Sequence, residues 1–227
     1  APSKESLAKL DAEVDAFLAK LAPNAAEQAS RSSAVVAVQR AAARAAVRLL
    51  DVDAAAAVAV SAFGSRGAGF ETHATEVALE VVGLLQPGQT DEDDAAVTTA
   101  QEALAESLNS EGAWPAPQEE EEKKDDEKMD EGEGEEKKAD EEERKSSSPK
   151  LEATIVTREG RPRVVFFTPD GSARVDVVVS STAPPPRSAL AELIKKEDAA
   201  AGGVLSRAVP VLRALLKQKR LVSPPGG

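Results

Sequence analysis

The residues whose types and spacing could do chemistry are Phe63-Gly64-Ser65 and, after a gap of ten residues, Glu76-Val77-Ala78-Leu79. A strand, a Gly-Ser turn, a short excursion and a return strand can hold a triphosphate. Glycine lets the backbone approach phosphate, and the serine hydroxyl and backbone N–H groups can bind its oxygens. Carboxylates at i and i+2 of a strand point to one face. Two of them, with a third from a neighbouring strand, can hold two magnesium ions. Gly-Ser after a strand is by itself a common turn, so the surrounding elements must carry the argument.

Two helices are expected first. Leu7, Leu10, Val14, Phe17, Leu18 and Leu21 make one apolar stripe, with Ser3 or Ser6 as N-cap. Pro23-Asn24 ends that helix, and Asn24 can cap the next. Residues 25–50 lack Gly and Pro and are rich in alanine, which predicts one long helix with Val35, Val38, Ala42, Ala45 and Leu49 on its apolar side. Arg40, Arg44 and Arg48 form a basic line on another face, read as solvated, with RNA backbone contact as the alternative. Residues 56–63 are short, apolar and stop at Gly64, as a buried strand would. Residues 75–82 alternate Val77, Leu79 and Val81 with Glu76, Ala78 and Glu80, which predicts a second strand. His73 in the excursion is expected to be an exposed loop residue. Residues 91–108 return to helix, with Trp114 anchoring its end on the core.

Net charge is −12, but residues 119–145 alone carry −9, leaving −3 for the remainder. The acidity therefore belongs to one segment and does not exclude a nucleic-acid partner for the fold. Residues 118–149 offer almost nothing to bury and are expected to be a disordered insert, through which a protein partner could dock. Three strands should follow, over 151–158, 163–168 and 173–180. Gly160-Arg161-Pro162 and Pro169-Asp170-Gly171 are expected as the turns between them. Helices are expected over 188–197 and 204–221, with Pro210 inside the second. The order reads as a mixed α/β (α+β) domain with helices packed on one sheet.

No cysteine is present, so disulfides, thiolate metal sites and a Cys nucleophile are excluded, and the single His73 excludes a His-based metal cage. One Trp, five Phe and no Tyr argue against an extended base-stacking platform. No apolar run is long enough to span a bilayer, so no membrane partner is expected and a soluble intracellular protein is the expectation, compartment open. The chain opens on Ala1 and stops soon after a helical pattern, so a fragment or processed form is one reading.

The first 85 residues resemble the palm-domain entry of the poly(A) polymerase-like and terminal uridylyltransferase-like RNA nucleotidyltransferases, within the polymerase-β-type superfamily. The resemblance lies in Leu10, Val14 and Phe17, in Pro23 and Arg31, then Val60, Phe63-Gly64-Ser65, Gly69-Phe70 and Thr75-Glu76-Val77-Ala78-Leu79. The last segment in that family usually reads Ser-Asp-Ile-Asp-Leu. Further on, Pro162-Arg163-Val164-Val165-Phe166-Phe167 and Arg174-Val175-Asp176-Val177 resemble the family's closing hairpin, which carries its third carboxylate. Residues 211–219 resemble a helix whose two basic residues contact the triphosphate.

The resemblance implies a nucleotidyltransferase palm, with residues 1–117 and 150–227 forming the domain and the start of a following helical region around the insert. It implies Gly64, Ser65, Arg213 and Lys217 as nucleotide-binding residues. Glu76 and Asp176 would be catalytic carboxylates holding Mg2+ or Mn2+, weakly if at all. The partners implied are an NTP and an RNA 3′ end. The reaction would be attack of the RNA 3′-hydroxyl on the α-phosphate, releasing pyrophosphate.

The departures are chemical. Glu76 replaces an aspartate, Ala78 supplies no ligand, and residues 181–184 lack the family's asparagine. Losing one shared carboxylate costs on the order of 3 kcal/mol of transition-state stabilisation, so impaired transfer is expected unless Glu76 or Glu80 compensates. The competing expectations are an inactive scaffold that binds RNA or protein, and a small helical interaction protein with no relation to nucleotides. If Ala78 marks a vacated ligand position, Ala78→Asp should create a magnesium-dependent response.

Overall fold

The computed structural model describes residues 3–115, 149–158, 160–181 and 186–219. The expectations for the acidic insert fall almost wholly outside them.

Helix α1 (Lys4–Leu21) starts at Ser3, whose Oγ accepts the Ser6 N–H at 3.1 Å. Helix α2 (Ala25–Leu49) starts at Asn24, which exchanges side-chain and backbone bonds with Glu27 in a capping box. The alanine content of α2 has a packing purpose. Ala34, Ala37, Ala41, Ala42, Ala45 and Ala46 are all fully buried, so small side chains let other elements approach this helix closely. A 3₁₀ turn over Asp53–Ala57 precedes β1 (Ala59–Phe63), so the expected strand loses its first residues to a turn. A one-turn helix α3 (Gly64–Gly67) leads to the excursion and to β2 (Val77–Val82). Helix α4 (Asp94–Asn109) follows, and buried Trp114 closes its end on the core as expected.

The remaining elements are β3 (Thr154–Arg158), β4 (Arg161–Phe167), β5 (Arg174–Ser180), α5 (Pro186–Ala200) and α6 (Val204–Gln218). Arg161 and Pro162 belong to β4, not to the turn expected for them, because Arg158 pairs directly with Arg161. The β4–β5 turn forms at Pro169-Asp170-Gly171, where Gly171 sits at φ 68° and donates to the Thr168 carbonyl at 2.8 Å. The five strands make one mixed sheet in the order β1-β2-β5-β4-β3, with β2 and β5 parallel and the other pairs antiparallel.

The strands alternate as their pleat requires. Val77, Leu79, Val81, Val164, Phe166, Val175 and Val177 join the core with α2 and α4. Ala78, Glu80, Arg163, Phe167, Arg174 and Asp176 occupy alternate positions and so face the other way. No single helix among the described residues is long and apolar enough to cross a membrane.

One turn carries a titratable signature. Partial burial pushes the Asp170 carboxyl up, but hydrogen bonds from Thr168, Ser172 and Ser30 outweigh it and hold it down to about 2. The Ser30 contact, 3.0 Å long, ties this turn to α2. A depressed carboxylate stabilises the fold above its unfolded value of 3.8, and that contribution is lost as pH falls through about 2. Asp170→Asn is therefore expected to lower stability at neutral pH. The group is mostly exposed, so the loss should be no more than about 1 kcal/mol. Chemical denaturation of both proteins from neutral pH downward should show the gap closing below pH 3.8. A gap that persists or grows in acid would overturn this account.

Candidate functional site

Strand register brings the separate motifs together. Ala78 pairs with Phe63 on one side and with Asp176 on the other. Gly64 follows Phe63 at φ 62°, a left-handed conformation suited to glycine, and a Cβ built on it would lie 3.7 Å from that of Ala78. Glu76 stands just before β2. Gly64, Ala78, Glu76 and Asp176 therefore meet at one end of the sheet. The short α3 lies close against its neighbours through Gly67, where an added Cβ would come within 2.6 Å of the Ala62 carbonyl oxygen.

The two acids meet arginines. Arg158 Nη1 lies 3.6 Å from Glu76 Oε2 and 3.8 Å from Asp176 Oδ2. Arg163 Nη1 donates to Asp176 Oδ2 at 3.3 Å, and Arg174 Nη1 sits 3.6 Å from Glu76 Oε1. Among the described residues, these two negative charges share three guanidinium groups. Asp176 is 2 % exposed, and its Oδ1 accepts no hydrogen bond.

This donor set does not fit a two-metal centre. Two carboxylates are present, Ala78 occupies the position between them and the turn, and both acids already face cations. A divalent ion entering here would have to displace guanidinium groups or suffer their repulsion. Among the described residues no group of three or more His, Cys, Asp or Glu side chains could hold a metal. Glu80 cannot compensate as anticipated, because it is fully buried and committed elsewhere. It accepts the Arg187 N–H at 3.1 Å, Arg187 Nη1 at 2.9 Å and the Ser188 N–H at 3.2 Å, which caps the start of α5. Arg187 in turn lies over the Phe63 ring, 5.9 Å from its centre.

The turn side differs. Arg213 Nη1 donates to Ser65 Oγ, so α6 reaches the Gly-Ser turn. Ser65 and Arg213 are thereby brought together, while Lys217 is exposed one helical turn further along. Fully buried Arg31 holds the excursion. It donates to Glu71 Oε1 at 2.7 Å, to the Thr72 carbonyl at 3.1 Å and to the His73 carbonyl at 2.8 Å. Arg66 joins the same Glu71 at 2.8 Å. His73 is exposed, as expected, and its ring and N–H meet the Leu21 carbonyl at the end of α1. The basic line on α2 is partly structural. Arg44 donates to Ser110 Oγ and to the Glu111 and Gly112 carbonyls, and Arg48 pairs with Glu106.

Sequence reasoning missed Arg158 and Arg174 as site residues and gave Arg163 no role. The available signal was an excess of arginine at alternate positions of short strands, beside the only acid of β5.

These elements define the class of the chain: it has the nucleotidyltransferase fold. The structure is similar to Cid1 poly(U) polymerase bound to MgGTP, with a TM-score of 0.55 at 14% identity, covering 95% of this chain and 50% of that one. A second Cid1 structure, described for its RNA terminal uridylyl transferase activity, gives 0.55 at 14%, covering 95% and 49%. A cytoplasmic RNA terminal U-transferase gives 0.50 at 13%, covering 93% and 47%. The chain thus spans about half the length of these structures. No family model and no curated protein matches the sequence.

Proposed function

We propose that this chain is a nucleotidyltransferase-fold domain of the poly(A) polymerase and terminal uridylyltransferase kind that has lost its magnesium centre and serves as a pseudoenzyme scaffold. One observation carries the reading: a single arginine nitrogen, Arg158 Nη1, lies between the two acids that would have to bind metal. Phosphoryl transfer depends on cations that bridge the phosphate oxygens and on acids that hold those cations in place. Guanidinium groups neutralise the acids here without bridging attacking and leaving oxygens. Exposed Leu190 and Leu193 of α5 and Leu212 and Leu215 of α6 support a scaffold role, since exposed apolar side chains suit a protein partner.

A second reading, an impaired but active 3′-end polymerase, draws on the Ser65–Arg213 contact and on the unpartnered Asp176 Oδ1. In it, Gly64, Ser65, Arg213 and Lys217 would hold the triphosphate, and Glu76 with Asp176 would recruit the metal on substrate arrival.

A primer-extension assay separates them. The full chain is incubated with labelled NTPs and a single-stranded RNA in Mg2+ or Mn2+. The pseudoenzyme reading expects no extension above the protein-free control. Extension that Asp176→Asn abolishes would establish the second reading instead.

A further inference from the structure

We propose that β3 is a self-pairing edge, through which two copies of this chain join their sheets antiparallel about a two-fold axis at Val156. The inference goes beyond the pseudoenzyme reading and does not depend on it.

The sheet has two edges, and the described residues close only one. At β1, Gln39 Nε2 donates to the Val58 carbonyl at 3.1 Å, and α3 lies against the Ala62 carbonyl through Gly67. At β3 no strand follows on the outer side. The strand reads Thr154-Ile155-Val156-Thr157-Arg158, so it begins with a run of β-branched residues. Thr154, Ile155 and Thr157 are exposed. Natural edges are guarded by lysine, proline or a bulge. Here the strand's charge is Arg158, and it is drawn to Glu76 and Asp176.

Hydrogen bonding fixes which backbone groups face outward. In an antiparallel pair, alternate residues turn both groups toward the neighbour. Ala153 has both of its groups on Asn109: its N–H donates to Oδ1 at 2.6 Å, and its carbonyl accepts from Nδ2 at 3.0 Å. Ala153 therefore points away from β4, and so do Ile155 and Thr157 at two-residue intervals. The other hairpin agrees. The Thr168 N–H donates to the Ala173 carbonyl at 2.9 Å, so Phe166 and Val164 turn to β5, while Val165, Arg163 and Arg161 turn to Thr154, Val156 and Arg158. Asn109 thus closes the start of the edge, and no strand of the described residues receives the outward groups of Ile155 and Thr157.

Symmetry and charge select the occupant. A strand meets its own copy antiparallel across a two-fold axis, in an isologous contact. The axis at Val156 sets Ile155 opposite Thr157 of the second copy, and Thr157 opposite its Ile155. All the outward groups are then used without disturbing Ala153, and β-branched side chains face one another, as stable sheet pairs do. Arg158 falls opposite Thr154 of the second copy. An axis at Ile155 would need Ala153, which Asn109 holds, and an axis at Arg158 would set two guanidinium groups head to head. The pairing also brings a Thr154 hydroxyl from each copy beside the other's Arg158, the arginine shared by Glu76 and Asp176.

The ladder is short, so the dimer is expected to be weak and concentration-dependent. Sedimentation velocity of the full chain, from micromolar to millimolar concentration, should show a monomer–dimer equilibrium. Thr157→Lys, at an exposed position whose backbone groups face outward, should abolish it. Thr154→Glu, opposite Arg158 of the second copy, should tighten it by up to about fivefold for each such pair.

A second measurement reads the register. The chain has no cysteine, so Val156→Cys gives each copy a single thiol. Opposed residues of a non-hydrogen-bonded pair have Cα atoms about 4.5 Å apart, within disulfide reach. Under oxidised glutathione, Val156→Cys should cross-link faster than Val52→Cys, an exposed position off the sheet that reports chance collision. A chain that stays monomeric throughout and cross-links no faster at position 156 than at 52 overturns the proposal. So does a dimer that tolerates Thr157→Lys and is lost with Leu212→Glu, which would place the contact on the exposed apolar face of α6. Neither outcome alters the primer-extension result, which reads transfer and not association.

Discussion

Arg31→Ala is expected to lower the thermal midpoint by roughly 10 °C. Arg31 is fully buried, and its guanidinium supplies three hydrogen bonds to Glu71, Thr72 and His73. Removing one partner of a buried ion pair costs about 3–5 kcal/mol, because the other polar groups are left without partners. In a domain of this size each kcal/mol moves the midpoint by about 2–4 °C. Glu71 keeps Arg66 at 2.8 Å, which places the loss toward the lower part of that range. Arg31→Lys retains a charge but cannot make all three bonds from one ammonium, so its midpoint should fall between the two. The consequence reaches the site, since residues 71–73 lead directly to Glu76. A melt in which Arg31→Ala stays within about 2 °C of the parent, less than 1 kcal/mol, would show that α2 does not hold the excursion.

The second large effect is the return of a metal response, and the arginines change what is expected of it. Ala78→Asp alone should not create magnesium dependence. The new carboxylate would stand beside Asp176 and meet Arg158 and Arg163, which neutralise it. Ala78→Asp with Arg158→Ala gives three carboxylates and removes the cation shared by Glu76 and Asp176. In chelator, the like charges repel and the midpoint should fall below that of the parent. Magnesium should then restore it, by about 2.7 kcal/mol when its concentration is a hundred times Kd. Thermal melts of parent, single and double variants, each with chelator and with magnesium, test this. A magnesium shift in the single variant as large as in the double would show that Arg158 does not guard the site. No shift in either would show that position 78 is not a vacated ligand position.

Much of the architecture was legible along the chain. Asn24, the alanine run of α2, the apolar stretch ending at Gly64 and the alternation after Glu76 each encode local geometry over a few residues. Backbone propensity and side-chain period act at that range, so the long helices, the five strands and their order were legible, while the 3₁₀ turn over Asp53–Ala57 and the one-turn α3 were not. The missing ligand at Ala78 was equally plain, because a methyl group cannot coordinate a cation wherever the strand lies. The first turn of β4 was misread because Gly160-Arg161-Pro162 has turn composition, while cross-strand pairing of Arg158 with Arg161 decided the outcome.

What only the tertiary structure decided is who neutralises whom. Glu80 looked available as a substitute ligand until folding placed it under Arg187 and Ser188, more than a hundred positions away in sequence. Glu76 and Asp176 were expected to hold metal weakly if at all, and the sheet carried Arg158 and Arg174 to them as competing cations. Coulomb interactions depend on distance through space, and strand order with register sets those distances for residues far apart in the chain. The sequence by itself determined which charges exist, and the order β1-β2-β5-β4-β3 determined that arginine meets the acids.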